Sequence, residues 1–317
     1  MWIWRVGCWY LPSARRYCER HQGVRYASEQ PGSRSMSRNF LLVDGVLRQD
    51  ALQWLYGVGE PIEVIPLYSG TRWDGVKELG PILVGLDSHS SLLGEWRSSP
   101  SLQRQTSRIQ SSSSLNDVAD HLSQFITITD NLGSYSLFRF ADPLVTSYWL
   151  NSYPQSAYQT LLGPIIEWLV PLPPPNWAPS HAVEWQSYRS QPNSSRLEGK
   201  LNHLIDDQVE ALEQAYRRSF KERLYGWLIE DYPQTLSGLG EQERGQWLEQ
   251  RLLDAEAWGL VNERSIAIWL ERCACWGDNF ATRSDSPYQA WLARTPDAQK
   301  LPPERRIQAL DEDCLAG

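Results

Sequence analysis

Residues 39–43 (NFLLV) form a short unbroken apolar run, the pattern of a strand buried on both faces, and Asp44-Gly45 ends it. Leu47, Ala51, Trp54 and Leu55 then recur at helical steps. Residues 62–68 predict a second strand, which Pro66 confines to an edge or a bulge because proline donates no ladder hydrogen bond. Ser69-Gly70 turns the chain, residues 82–86 predict a third strand, and residues 92–96 open a short helix. Residues 98–114, rich in Ser, Gln and Arg, are expected to be a mobile loop. Ser114 can cap a helix that runs to Phe125. Residues 125–129 (FITIT) alternate, 130–134 (DNLGS) turn and 135–140 (YSLFRF) return, which predicts a β-hairpin. Asp142-Pro143 then starts a helix through Asn151: the carboxylate accepts from first-turn amides, and proline is preset for helical φ.

Residues 171–179 (PLPPPNWAP) hold five prolines in nine positions, a stiff extended stretch that marks a lobe boundary. Beyond it Leu197, Leu201, Leu204, Ile205, Val209, Leu212, Tyr216, Phe220, Leu224 and Trp227 repeat at three- and four-residue steps. Further amphipathic stretches cover 247–260 and 266–276. The expected fold class is an α/β (α+β) N-terminal lobe with a mixed sheet and flanking helices, followed by an all-α C-terminal lobe. The divisions are an arm at 1–35, an α/β domain at 36–172, a Pro/Ser-rich linker at 173–196, a helical lobe at 197–295 and an acidic tail at 296–317.

Composition changes this picture in two places. Sixteen tryptophans in 317 residues are many for cores of this size, and tryptophan is enriched in interface hot spots, so some are expected to face a partner. The first 35 residues carry six Arg and two Glu, a net +4 that leaves −12 for the rest. Arg5 and Pro12 interrupt their apolar stretch, a poor signal peptide. Met36 stands directly before the first strand, so the expectation is that 1–35 is a disordered arm or an over-called extension. The overall −8 excludes a protein built to hold nucleic acid. No apolar run reaches the roughly 18 residues of a membrane span. Five unevenly spaced cysteines suggest free thiols in a reducing compartment, hence the cytoplasm.

A search for chemistry finds no linear catalytic motif. His21, His89, His121, His181 and His203 are scattered and read as surface or packing residues. Cys273 and Cys275 point about 200° apart on a helix, which defeats a shared metal. Asp206-Asp207, Glu241/Glu243 and Asp311–Asp313 read as solvated faces and a tail. No catalytic residue, metal ligand or cofactor is assigned. Arg139 projects opposite Phe138 and Phe140 and toward Asp142, an ion pair that locks hairpin to helix or faces a partner.

The order of several pieces resembles the effector-chaperone family of type VI secretion, the domain of unknown function 4123 family. These are the apolar strand ending in Asp44-Gly45, LYSGT at 67–71 with Gly70, GPILVGL at 80–86, FRFADP at 138–143 with Arg139, Asp142 and Pro143, and Leu162–Pro164 with Trp168. AEAWGL at 255–260 and WGDNF at 276–280 extend the likeness into the helical half. Ala141 departs from it, an aromatic being common there. The resemblance implies a cytoplasmic, non-enzymatic adaptor that binds a cognate secreted effector and mounts it on a VgrG-type spike protein, with no nucleic acid, membrane or cofactor. The effector is expected on the helical lobe, through Tyr216, Trp227, Trp247 and Trp258. The rival readings are a hydrolase whose residues converge only in three dimensions and a scaffold unrelated to secretion.

Overall fold

The computed structural model describes residues 37–130, 133–190 and 201–316. The arm at 1–35, Met36, Cys8, Cys18, His21 and Leu197 lie outside the described residues. The first lobe runs β1 (Arg38–Asp44), α1 (Ala51–Gly57), β2 (Glu63–Pro66), β3 (Pro81–Leu86), α2 (Ser91–Ser98), α3 (Pro100–Gln103), β4 (Thr106–Ser111), α4 (Leu115–Ser123), β5 (Thr127–Thr129), β6 (Tyr135–Leu137), α5 (Pro143–Asn151), α6 (Tyr158–Leu162), β7 (Ile165–Leu172) and β8 (Glu184–Arg189). The second is helical: α7 (Asp206–Asp231), α8 (Pro233–Leu236), α9 (Glu241–Ala257), α10 (Glu263–Trp276), α11 (Pro287–Arg294) and α12 (Pro303–Ala316).

Six strands form one sheet in the order β2-β3-β1-β4-β7-β8, every neighbour antiparallel. The alternation of a strand sends Phe40 and Leu42 to one face and Leu41 and Val43 to the other. Phe40 and Leu42 join a core built with α4, α5, α6 and the β5–β6 hairpin. Leu41 and Val43 join a second core under α1 and α2. With both faces covered, β1 reads as a continuous apolar run. β2, with its Pro66, is an edge. The capping box of Ser114 and Asp117 starts α4.

Residues 98–114 are not a mobile loop. They form α3, capped by the Ser99 hydroxyl, and β4, which lies between β1 and β7. The polar side chains of β4 enter the core because each finds a partner. Thr106 Oγ1 donates to Leu102 O at 2.7 Å, Ser111 Oγ donates to Pro164 O at 2.6 Å, and Ser107 Oγ accepts from Trp168 Nε1 at 2.8 Å. Small hydroxyls satisfied in this way make a buried strand without an apolar signature.

The proline-rich boundary is also corrected. Pro171 belongs to β7, opposite Trp185 of β8. The pairing of β7 with β4 ends at Leu169, so the proline sits where the strand has one neighbour left. The expected linker at 173–196 therefore holds a sheet strand. Pro173, Asn176 and Trp177 lie against α7: Arg218 donates to Pro173 O, Asn176 Nδ2 donates to Glu222 O at 2.7 Å, and Lys221 sits 4.9 Å from the Trp177 ring centroid.

α7 starts at Asp206 rather than 197, with Asp206 and Asp207 at its positive end. Before it, residues 202–204 run beside β5: Thr129 N donates to Asn202 O and Leu204 N to Thr129 O, both at 2.8 Å. Val209 and Leu212 pack in the sheet core, whereas Phe220, Leu224, Tyr225 and Leu228 pack in the helical core. One helix thus serves both lobes.

The acidic tail is folded. Ile307 and Leu310 of α12 are fully buried in the helical core, and Asp311, also buried, pairs with Arg272 at 2.7 Å. Leu310→Ala is expected to cost about 2–5 kcal/mol in urea unfolding, whereas Glu312→Ala on the exposed side should stay within about 0.5 kcal/mol. A fragment of residues 36–175 lacks β8 and the Val209 and Leu212 face of α7. It is expected to lose the cooperative transition of the full chain in circular dichroism.

Candidate functional site

The residues singled out in the first lobe converge at one end of the sheet. Asp44 closes β1, buried to 5% side-chain exposure, and its Oδ1 accepts from the amides of Val46 and Leu47 at 2.9 Å each. Arg139 Nη2 donates to that same oxygen at 3.0 Å and lies 3.3 Å from Asp142 Oδ2. Asp142 Oδ1 caps α5 through the Leu144 amide at 3.0 Å, with Pro143 as the first helical residue. The expected Arg139–Asp142 pair exists and is half of a three-residue cluster. Asp44, 95 positions away, was singled out as a motif residue at a strand end but not as a partner of Arg139. Its signal was present, since a carboxylate ending a fully apolar strand needs a cation or donors to be buried.

The glycines serve the same knot. A Cβ on Gly45 would stand 2.1 Å from the Glu78 carbonyl oxygen, and the Gly45 amide donates to Gly80 O at 3.1 Å. Gly70, at φ +70°, turns the chain with its amide held by Asp74 Oδ1 at 3.0 Å. Between them Tyr68 is buried, with its ring against Gly80.

Two carboxylates share one guanidinium here, a formal charge of −1. Arg139 keeps 38% side-chain exposure, so the cluster meets the surface through its cation. Burial pushes Asp142 up to about 6; the Arg139 charge opposes the rise and the Asp44 charge adds to it. Burial, then the Asp44 charge, push Tyr68 up to about 12, so its hydroxyl stays protonated at neutral pH. A second cluster, not anticipated, ties three strands: Glu167 of β7 meets Arg108 of β4 at 2.6 Å and Arg189 of β8 at 2.7 Å and accepts from Ser187 at 2.7 Å. Burial alone would raise Glu167, but the hydrogen bonds from Ser187 and Arg189 and the two guanidinium charges hold it below the usual carboxylate range. A cleft of about 290 Å³ beside it is lined by Gln155, Tyr158, Ser187 and Arg189. The Ser187 hydroxyl there faces a carboxylate held ionised by two arginines. His121 lies buried elsewhere, 2.9 Å from Leu161 O, and His203 lies 3.2 Å from Thr129 Oγ1. Among the described residues no group of three or more His, Cys, Asp or Glu side chains is arranged to hold a metal, and no helix is long and apolar enough to cross a membrane.

The expected partner residues of the helical lobe each have a neighbour of their own. The exposed Tyr216 hydroxyl bonds Glu263, which Arg223 also meets. Trp227 is half-buried, edge-on to Tyr232 at 5.6 Å. Trp247 Nε1 donates to Asp278 Oδ1 at 3.2 Å. Trp258 packs on Trp269 at 5.2 Å beneath Arg306. Much of the tryptophan surplus fills cores, including Trp96, Trp149, Trp168, Trp177, Trp269 and Trp291. Trp185 on β8, at 45% exposure, is the most exposed tryptophan among the described residues and was not singled out.

With this geometry in place, one comparison bears on the site. Residues 39–160 match the family model described as Domain of unknown function (DUF4123). All six motif residues, Asp44, Gly45, Gly70, Arg139, Asp142 and Pro143, fall inside that match. β7, β8 and the whole helical lobe lie beyond it. Neither a curated protein nor a solved structure matches the chain.

Three outcomes are expected. Arg139→Ala strands two buried carboxylates and should cost about 3 kcal/mol at pH 7, read by urea unfolding. Gly45→Ala should cost about 1–3 kcal/mol or more, because its neighbours are backbone atoms that cannot swing away. The folded chain binds the Asp142 proton more tightly than the unfolded chain, whose value is 3.8. This group's contribution to stability is therefore greatest below pH 3.8 and falls as pH rises to about 6. Asp142→Asn keeps a cap and should remove that fall from a pH series of urea midpoints.

Proposed function

We propose that this chain is an adaptor that binds a cognate type VI secretion effector and loads it onto a VgrG-type spike protein. The observation that carries the reading is the ordered motif set, Asp44-Gly45 through FRFADP. It lies within the span matched by the DUF4123 model and folds into one tied cluster at the end of the sheet. The proposed division of labour puts the effector on the helical lobe, with half-buried aromatics as anchors, and the spike on the sheet lobe. Aromatic side chains offer large contact area at low entropic cost, which suits them to that role. The proposed compartment is the cytoplasm, a reading supported by the three free cysteines among the described residues.

The two lobes share α7, so the test uses the full chain. Affinity capture from the native host, read by mass spectrometry, is expected to recover a spike-tip protein together with one secreted effector. Recovery of an unrelated assembly with neither would overturn the proposal. Tyr216→Ala and Trp247→Ala are each expected to cut effector capture about tenfold, a loss above 1 kcal/mol. Spike capture and the circular dichroism spectrum should stay unchanged in both variants. An effector lost equally with Arg139→Lys but not with these two would move its seat to the sheet lobe.

A further inference from the structure

Three cysteines lie among the described residues, all free thiols, and two of them stand on facing stripes of α10 and α12. On α12 the stripe is Ile307, Leu310, Asp311 and Cys314, at the spacing of one helical face. The first three are buried and Cys314 packs at the rim of the helical core. On α10, Ser265 and Arg272 lie two turns apart and both reach α12. Gln308 Nε2 donates to Ser265 Oγ at 3.3 Å, and Arg272 Nη2 pairs with Asp311 Oδ1 at 2.7 Å. The two contacts advance in the same sense along both helices, from 265 to 272 and from 308 to 311. One further turn past each partner of the ion pair stand Cys275 and Cys314. Burial, then the Glu271 charge, push the Cys275 thiol up, with the Arg272 charge opposing and the Cys314 thiol adding to the rise; burial likewise pushes the Cys314 thiol up against the Arg272 charge. Cys273 lies on the other side of α10, buried in the core.

We propose that Cys275 and Cys314 form a reversible disulfide that pins the end of α12 to the end of α10. The co-reactant is a low-molecular-weight disulfide, represented by oxidised glutathione. The exposed Cys275, as thiolate, attacks one glutathione sulfur; the sulfur–sulfur bond breaks and one glutathione thiolate leaves. The Cys314 thiolate then attacks the Cys275 sulfur of the mixed disulfide and expels the second glutathione. The two cysteine protons end on the two released thiols. The protein pair loses two electrons and the glutathione disulfide gains them. The crosslink closes the loop from Cys275 to Cys314 and restricts the unfolded chain, so the oxidised protein melts later.

The experiment uses the full chain with Cys8→Ser and Cys18→Ser, incubated with oxidised glutathione and compared with its dithiothreitol-treated form. The free thiol count is expected to fall from three to one, with an intact mass short of two hydrogens and carrying no glutathione. Digestion should release one peptide pair joined through Cys275 and Cys314, and Tm should rise and return on reduction. Cys314→Ser is expected to leave glutathione on Cys275 with no rise in Tm, while Cys273→Ser keeps the crosslink. Separate glutathione adducts on Cys275 and Cys314 would overturn the proposal by showing the helices too far apart, since a disulfide needs the Cα atoms within roughly 4.4–6.8 Å. A count that stays at three, or a bond that joins Cys273 or two chains, overturns it equally.

Discussion

Helix α7 is a member of two hydrophobic cores, and the arrangement of the two lobes follows from that. Its 26 residues span about 39 Å at 1.5 Å per residue. Val209 and Leu212 near its start complete the sheet core, while Phe220 through Leu228 supply the helical one. A helix that interrupted its apolar stripe between the two would lose one of them. The proline-rich segment has no freedom to act as a hinge, because Pro173, Asn176 and Trp177 are held against the same helix by Arg218, Glu222 and Lys221. A partner on one lobe would therefore be held in fixed relation to a partner on the other, as the proposed adaptor role asks.

The Asp44–Arg139–Asp142 cluster imposes a second constraint, on the sheet's end. Burying two carboxylates demands compensation, and each has it from different sources: Asp44 from two turn amides and the guanidinium, Asp142 from a helix start and the same guanidinium. The motif residues of the first lobe are thus accounted for by folding. Within the cluster, Arg139 is the member whose side chain keeps an exposed face, at 38%.

Elements with a clear periodicity were legible in the chain: β1, β3, the β5–β6 hairpin, α4 with its Ser114 cap, α5 with its Asp142-Pro143 start, and α7, α9 and α10 of the second lobe. What escaped was structure whose stabilising partner lies far away in sequence. β4 looks like a loop because its buried hydroxyls are satisfied by Leu102, Pro164 and Trp168. α12 looks like a tail because its charges outnumber Ile307 and Leu310, and its most telling acid, Asp311, is neutralised by Arg272 from another helix. The cluster at the sheet's end was half legible for the same reason, Asp142 being three residues from Arg139 and Asp44 ninety-five.

The strand order has a consequence for biosynthesis. β1 is made first and occupies the middle of the sheet, yet its second neighbour β4 ends at Ser111 and the outermost strand β8 ends at Arg189. The core on the Phe40 face closes only with Leu212. During synthesis that core therefore stays incomplete until the start of α7 has been made, long after β1. Non-local pairing of this kind folds slowly and leaves sticky strands exposed. The molecule's need for protection is thus greatest before its helical half exists.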